Sequence, residues 1–341
     1  VAAELGERAA AAGIDPAALA WHEREIGGRL RVDLPLPAPA ARELALSLRS
    51  VHHVLHDRLR FDLPETGALE AVEARLAALD WPGMDATTPF RVSSDRHGDH
   101  DFTSQQVQAA AGAGVVAATG APVDLHDYRV HVQVDVVGRR CLVGVRWTER
   151  ELGLRFERVY NQRVALKPPI AYAMLRLAWP GARPPREILD PFCGTGTVLL
   201  EAAALFPSAL LLGADGRDAC VEGTRRNLAA AGRVERARLE CADARAMAQH
   251  HEPGSLDLIA TNPPYGHRLG RRLKFVDFYR DCLEGAATVL RPGGRMVVLV
   301  GRQAAFGKAL ARVDALESVH QRTLSLSGIR VRLVVLERLA G

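Results

Sequence analysis

Lysine is nearly missing from this chain: only Lys167, Lys274 and Lys308 stand among its 44 basic residues. Arginine therefore carries the positive charge, and against 40 acidic residues the surplus is only +4. Such a balance permits nucleic-acid binding without demanding it. Any single arginine reads first as a solvated surface group. No apolar run reaches the roughly 18 residues a membrane helix requires, so no membrane partner is expected. The longest runs, Ala209–Leu212 and Met296–Val300, have the length of buried strands. Cysteine supplies no framework. Cys141, Cys193, Cys220, Cys241 and Cys282 are odd in number and contain no CxxC pair. That argues against a metal site and for a reducing compartment, the cytoplasm by default. The opening VAAELGERAAAAG carries Glu4, Glu7 and Arg8, as an amphipathic helix does and a signal peptide does not. The chain begins at Val1, so a preceding segment is expected to be missing.

From Ile188 onward, short apolar runs alternate with helical segments. EILDPF, LLLGAD, ARLECAD, LDLIATNPP and RMVVLVG read as strands, the last behind an RPGG turn. TVLLEAAALF, ACVEGTRRNLAAAG and FVDFYRDCLEGAATVL read as the helices between them. This alternation predicts a parallel, doubly wound α/β sheet. Two β-rich runs around a Ser-Gly turn close the chain and add antiparallel pairing. The first half differs. A helix, a hairpin around Gly27–Gly28, a second helix from PAPAARELALSLRSV and a strand HVLHDRLRFDL make one α+β unit. The helix ETGALEAVEARLAALDW, the strand FRVSS, the helix TSQQVQAAAGAGVVAATG and the alternating pair RVHVQVDVV and CLVGVRWT make another.

Chemistry concentrates in DPFCGTGTVLLEA, Asp190–Ala202. A strand ends at Asp190, and the chain turns through Cys193, Gly194, Thr195 and Gly196 into a helix opening at Thr197. Glycine there lets backbone N–H groups approach a ligand at a helix N-terminus. Asp215, followed by Gly216, ends the next strand, where a carboxylate meets ribose hydroxyls. Asp243, followed by Ala244, ends the one after, placed for an adenine edge. NAD is disfavoured, because its fingerprint needs a third Gly or Ala where this chain has Leu199. The fourth strand runs into Asn262, Pro263, Pro264 and Tyr265. An aromatic amine is a poor nucleophile, since its lone pair is delocalised into the ring. Acceptors that hold its hydrogens, the Asn262 oxygen and the Pro263 carbonyl, draw the nitrogen towards tetrahedral geometry. Tyr265 offers a ring on which an extruded base stacks. No Pro-Cys loop exists for cytosine C5 chemistry.

These motifs resemble class I S-adenosylmethionine-dependent methyltransferases. The resemblance implies a Rossmann-like seven-stranded sheet and S-adenosyl-L-methionine as cofactor. It assigns Asp190, Gly194 and Gly196 to the methionine portion, Asp215 to the ribose and Asp243 to the adenine, with Cys193, Thr195, Thr197, Gly216 and Ala244 as further cofactor-binding residues. Asn262 borders both cofactor and base. FRVSSDRHGDHDFTSQQVQ further resembles the THUMP RNA-binding module, and NPPYGHRLGRR resembles tRNA guanine-N2 methyltransferases acting at position six of the acceptor stem. The resemblance implies a ferredoxin-like domain over residues 1–62, lacking its first strand, and THUMP over 63–150. A linker over 151–168 and the methyltransferase over 169–341 follow. It also implies a monomer that grips the acceptor stem and 3′ CCA end of tRNA. Arg91, Arg96, His97, Phe102, Thr103 and Ser104 are the RNA-contact candidates, Phe102 with a competing reading as core. Guanine-N2 methylation elsewhere in tRNA or in rRNA, and non-catalytic RNA binding, are the alternatives.

Overall fold

Alternating hydrophobicity in the first half and unbroken apolar strands in the second produce two different kinds of sheet. The computed structural model describes all residues except 23–28, 163–164, 182, 267–273, 327 and 341. Two units are distinguished, Val1–Leu152 and Gly153–Gly341.

The first unit begins with α1 (Ala2–Ala11), β1 (Ala20–Trp21), β2 (Val32–Asp33) and α2 (Ala38–Leu46). β1 and β2 pair antiparallel, while the turn expected at Gly27–Gly28 lies outside the described residues. Glu4 is buried, with its carboxylate accepting the Arg49 and Ser50 amides at 2.8 and 3.0 Å. Then follow β3 (Leu55–Asp62), α3 (Ala68–Ala77), β4 (Phe90–Ser93), β5 (Arg96–His97), α4 (Ser104–Thr119), β6 (Val130–Val137) and β7 (Arg140–Arg146). The sheet order is β3-β7-β6-β4, with β5 also on β6. β3, expected at the end of the first domain, pairs along its length with β7. Phe90, Val92, Val132, Val134 and Val136 pack with Val107, Ala111 and Val115 of α4 into one core. The alternation of β6 predicts a solvated polar face. Instead His131, Gln133 and Asp135 are buried as well, so this strand is covered on both sides.

The second unit comprises α5 (Pro168–Ala178), β8 (Glu187–Asp190), α6 (Thr197–Leu205), β9 (Leu210–Asp215), α7 (Asp218–Ala230), β10 (Ala237–Cys241), α8 (Met247–His250), β11 (Leu256–Thr261), α9 (Phe275–Val289), β12 (Leu290–Val300), α10 (Gln303–Leu310), β13 (Leu316–Leu326) and β14 (Ile329–Arg338). The seven-stranded order is β10-β9-β8-β11-β12-β14-β13. Neighbours are parallel except that β14 runs antiparallel to both β12 and β13. All six residues of β11 are buried, as a central strand covered on both faces requires. RPGG forms a bulge, with Gly293 at φ +72°, and no break between elements. It lies within β12, where the register against β11 shifts between Leu256 and Leu258. Every parallel strand ends at the same edge, which gathers Asp190, Asp215 and Asn262 from distant parts of the sequence. The segment expected to be a linker is fastened to this unit. Arg155 bonds Glu201 at 2.8 Å, Arg158 bonds Thr197 at 3.1 Å, and the Tyr160 amide donates to Asn227 at 2.9 Å.

Candidate active site and basic face

The Gly-rich turn is shaped by bonds that occupy its carbonyls. The Gly196 amide takes the Cys193 carbonyl at 2.7 Å. Thr224 and Asn227, one turn apart on α7, take those of Gly194 and Thr195 at 3.1 and 2.9 Å. The second hydrogen of the Asn227 amide goes to the Tyr160 carbonyl at 2.8 Å. With the carbonyls held inward, the turn presents the N-terminal end of α6 to a ligand. Gly196 has φ +77°, and a Cβ there would stand 2.9 Å from Thr224 Cγ2. No larger residue fits without displacing α7. Thr224 and Asn227 were not among the expected site residues. Their signal is two polar side chains at i and i+3 on the buried face of a helix.

Asp190 is almost fully buried, accepting the Phe192 amide at 3.1 Å and the Thr261 hydroxyl at 2.7 Å, both on Oδ1. Burial pushes its carboxyl up to about 7, and nearby Asp215 adds to the rise. A carboxylate held at this cost fits a cationic group of a ligand. Asp215 accepts the Gly194 amide on Oδ2 and the Arg217 amide on Oδ1, each at 3.1 Å. Gly216 beside it is exposed. Asp243 is exposed and caps the following turn, and its hydrogen bond to Arg245 lowers its carboxyl below the usual range. Ala244 is buried behind it. Burial pushes the Cys193 thiol up, so it is an inert part of the turn and no nucleophile. Thr195 and Thr197 are buried and bonded to each other at 3.2 Å.

At the end of β11, Pro263 is buried, with Asn262, Pro264 and Tyr265 part-buried. The Tyr265 hydroxyl donates to Asn262 Oδ1 at 2.5 Å, and the Arg302 guanidinium takes the Tyr265 carbonyl at 3.2 Å. Gly301 leaves room for the ring: a Cβ there would stand 2.7 Å from Tyr265. Burial raises the Tyr265 phenol, so it stays neutral. Thr261 joins the two segments, since its bond to Asp190 ties the NPPY loop to the Gly-rich turn. Residues 267–273, the remainder of the expected loop, lie outside the described residues.

In the first unit, a second group lies on the face of β6 away from α4. Asp135 pairs with Arg29 and accepts Gln133 Nε2 at 2.7 Å, while Arg146 Nη2 donates to Gln133 Oε1 at 2.7 Å. Burial, then the charges of Arg146 and Arg91, push His131 down to about 3, so its ring is neutral. A cavity of about 700 Å³ opens here, lined by Arg29, Arg146, His53, His56 and Trp147 among others. His56 stacks on Trp147 with centroids 5.1 Å apart. Arg91 borders this group, with its guanidinium over the Tyr128 ring. Arg96 and His97 form β5, and Arg96 contacts His100 at 3.1 Å. Thr103 caps α4 in a reciprocal pair with Gln106, and Ser104 is its first residue. Phe102 departs from its expected role: it is 8% exposed inside the core, with no face left for a base.

A seven-stranded sheet of this order, with a Gly-rich first turn, acids at the next two strand ends and NPPY on the fourth, defines a class I methyltransferase. Residues 155–332 match the family described as the RMKL-like methyltransferase domain, and residues 68–146 match the THUMP domain. The chain belongs to the RMKL-like methyltransferase family and carries a THUMP domain. It is 39% identical to the tRNA (guanine(6)-N2)-methyltransferase of Thermus thermophilus, over 92% of this chain and 90% of that one. The tRNA (guanine(6)-N2)-methyltransferase of Archaeoglobus fulgidus is 27% identical, over 80% of this chain and 75% of its own length. The crystal structure of TrmN from Thermus thermophilus superposes with a TM-score of 0.81 at 35% identity, covering 99% and 96% of the two chains.

Proposed function

We propose that this protein transfers a methyl group from S-adenosyl-L-methionine to the exocyclic N2 of the guanosine at position six of the tRNA acceptor stem. The observation that carries the proposal is Asn262, on the end of β11 and bonded to Tyr265, at the same sheet edge as the cofactor turn. The identity to relatives named for that reaction supports it. The cofactor, when bound, supplies an electrophilic methyl. Asp190 meets its cationic portion, Asp215 the ribose, and Asp243 with Ala244 the adenine. Asn262 Oδ1 keeps a second lone pair beside the tyrosine hydroxyl. That lone pair and the Pro263 carbonyl take the two amine hydrogens and release the nitrogen lone pair for attack. Tyr265 packs against the base, and Gly301 and Arg302 hold its loop. The proton of the methylated amine passes to solvent.

Residues 1–150 hold the RNA in this reading, as ferredoxin-like and THUMP modules, and 169–341 perform the chemistry. The basic face around Arg29, Arg91 and Arg146 takes the 3′ CCA end, with His56 and Trp147 offering an aromatic step for a base. The protein works as a monomer in the cytoplasm, a setting that suits its free cysteines. The test uses three unmodified tRNAs: intact, lacking CCA, and carrying inosine at position six. Intact tRNA is methylated, CCA-less tRNA poorly, and the inosine form not at all. Methylation of the inosine tRNA would overturn the assignment to N2.

A further inference from the structure

Between Glu317 and Glu337 the chain has no acidic residue, yet it carries Arg322, Arg330, Arg332 and His320. This stretch is the β13–β14 hairpin, and its register fixes where those charges stand. Thr261 is level with Val298, and Val300 with Arg332. Arg332 is therefore level with the first residues of the target loop, and Arg330 stands one pleat beyond the end of β12. β14 is two strands from β11, a lateral offset of about 10 Å.

Cross-strand partners share a face. Thr323 opposes Arg332 and Ser325 opposes Arg330, so these four, with Gln321 two residues along, form one polar face. The opposite face carries Leu324, Leu326, Ile329, Val331 and Leu333, all packed into the core with α5 and α6. The paired strands are thus anchored on one side and present guanidinium, hydroxyl and amide groups on the other. Gln321 accepts Arg332 at 3.4 Å, and Thr323, Ser325 and Arg330 are exposed. We infer that this face grips the sugar–phosphate backbone of the RNA beside the target nucleotide. The inference rests on the proposed function for the identity of the polymer. It adds a contact in the methyltransferase unit itself, separate from the face of β6. Charge complementarity and continuity with the Asn262 loop select RNA backbone as the occupant. Such donors on a rigid element position a strand without reading its sequence. The competing role is protection of β13, the edge of the sheet, against pairing with another copy.

The variants Arg330→Gln and Arg332→Gln, singly and together, separate these roles. Fluorescence anisotropy with a labelled acceptor-stem RNA, over a range of salt, gives affinity and its salt slope. Each substitution should weaken binding about tenfold at low salt and reduce the slope of log affinity against log salt by about one. Arg330→Lys should restore most of the binding, since a phosphate accepts either cation. Affinity for S-adenosylhomocysteine and the melting temperature should stay as in the wild type. Unchanged RNA affinity and slope, with self-association by analytical ultracentrifugation, would overturn the inference in favour of edge protection. A wild type that binds the stem without methylating it would fault the proposed function, and the hairpin would still be judged by the loss of binding.

Discussion

Lowering the pH from 8 to 5 should loosen cofactor binding through one carboxyl group, Asp190. Its ordinary value is 3.8, and burial pushes it up to about 7. With a value near 7, the ionised share is about 90% at pH 8, about half at pH 7 and about 1% at pH 5. Only the ionised form neutralises the cationic methionine portion of the ligand, so affinity should fall by nearly 100-fold, as an upper bound, across that range. Calorimetric titration with S-adenosylhomocysteine, repeated in buffers of different ionisation enthalpy, reads both affinity and proton release. Near pH 7 about half a proton should leave on binding. Asp190→Asn should remove both the slope and the proton. For stability the sign is opposite to that of a salt-bridged carboxylate. The folded state keeps a proton that the unfolded chain has lost, so the ligand-free protein should lose stability as pH rises from about 4 to about 7, and level off above. Affinity that stays constant from pH 5 to 8, with no proton released, would refute this role for Asp190.

Asn262→Ala should lose about 10²–10³-fold in single-turnover methyl transfer while still binding S-adenosylhomocysteine normally. The hydroxyl of Tyr265 sits on Asn262, so Tyr265→Phe should also slow transfer, by about tenfold, through loss of a hydrogen bond that orients the amide. Asn227→Ala strands the Thr195 and Tyr160 carbonyls, and urea unfolding should show a loss of about 1–3 kcal/mol together with weaker cofactor binding. Gly301→Ala drives a methyl into Tyr265, with an expected cost of about 1–3 kcal/mol in urea unfolding and a fall in kcat at unchanged cofactor affinity.

The sheet of the second unit was legible because its inner strands β8, β9, β11 and β12 carry local apolar runs, and the residues after a parallel strand end are readable from the sequence. Asp190, Asp215 and Asn262 could be placed without coordinates for that reason. What the sequence hides is who meets whom across the fold. The binding of residues 155–162 to α6 and α7, and the role of Asn227, depend on contacts 39–67 residues apart. The alternation of β6 shows a polar face and cannot show that Arg29 and Arg146 bury it. Phe102 shows the same limit. A phenylalanine before a helix cap reads equally as stacking ring or core, and packing beneath α4 decides it. RPGG keeps its turn chemistry inside a strand: its four residues bulge out of the ladder with β11 between Leu290 and Arg295, with Gly293 at φ +72°.

The proposed reaction is defined by one atom of one nucleotide. Unmodified tRNA is incubated with the protein and isotopically labelled S-adenosylmethionine, digested to fragments, and mapped by mass spectrometry. The expected product is N2-methylguanosine at position six, with no label elsewhere. Label on another base, on a ribose, or at another guanosine would contradict it.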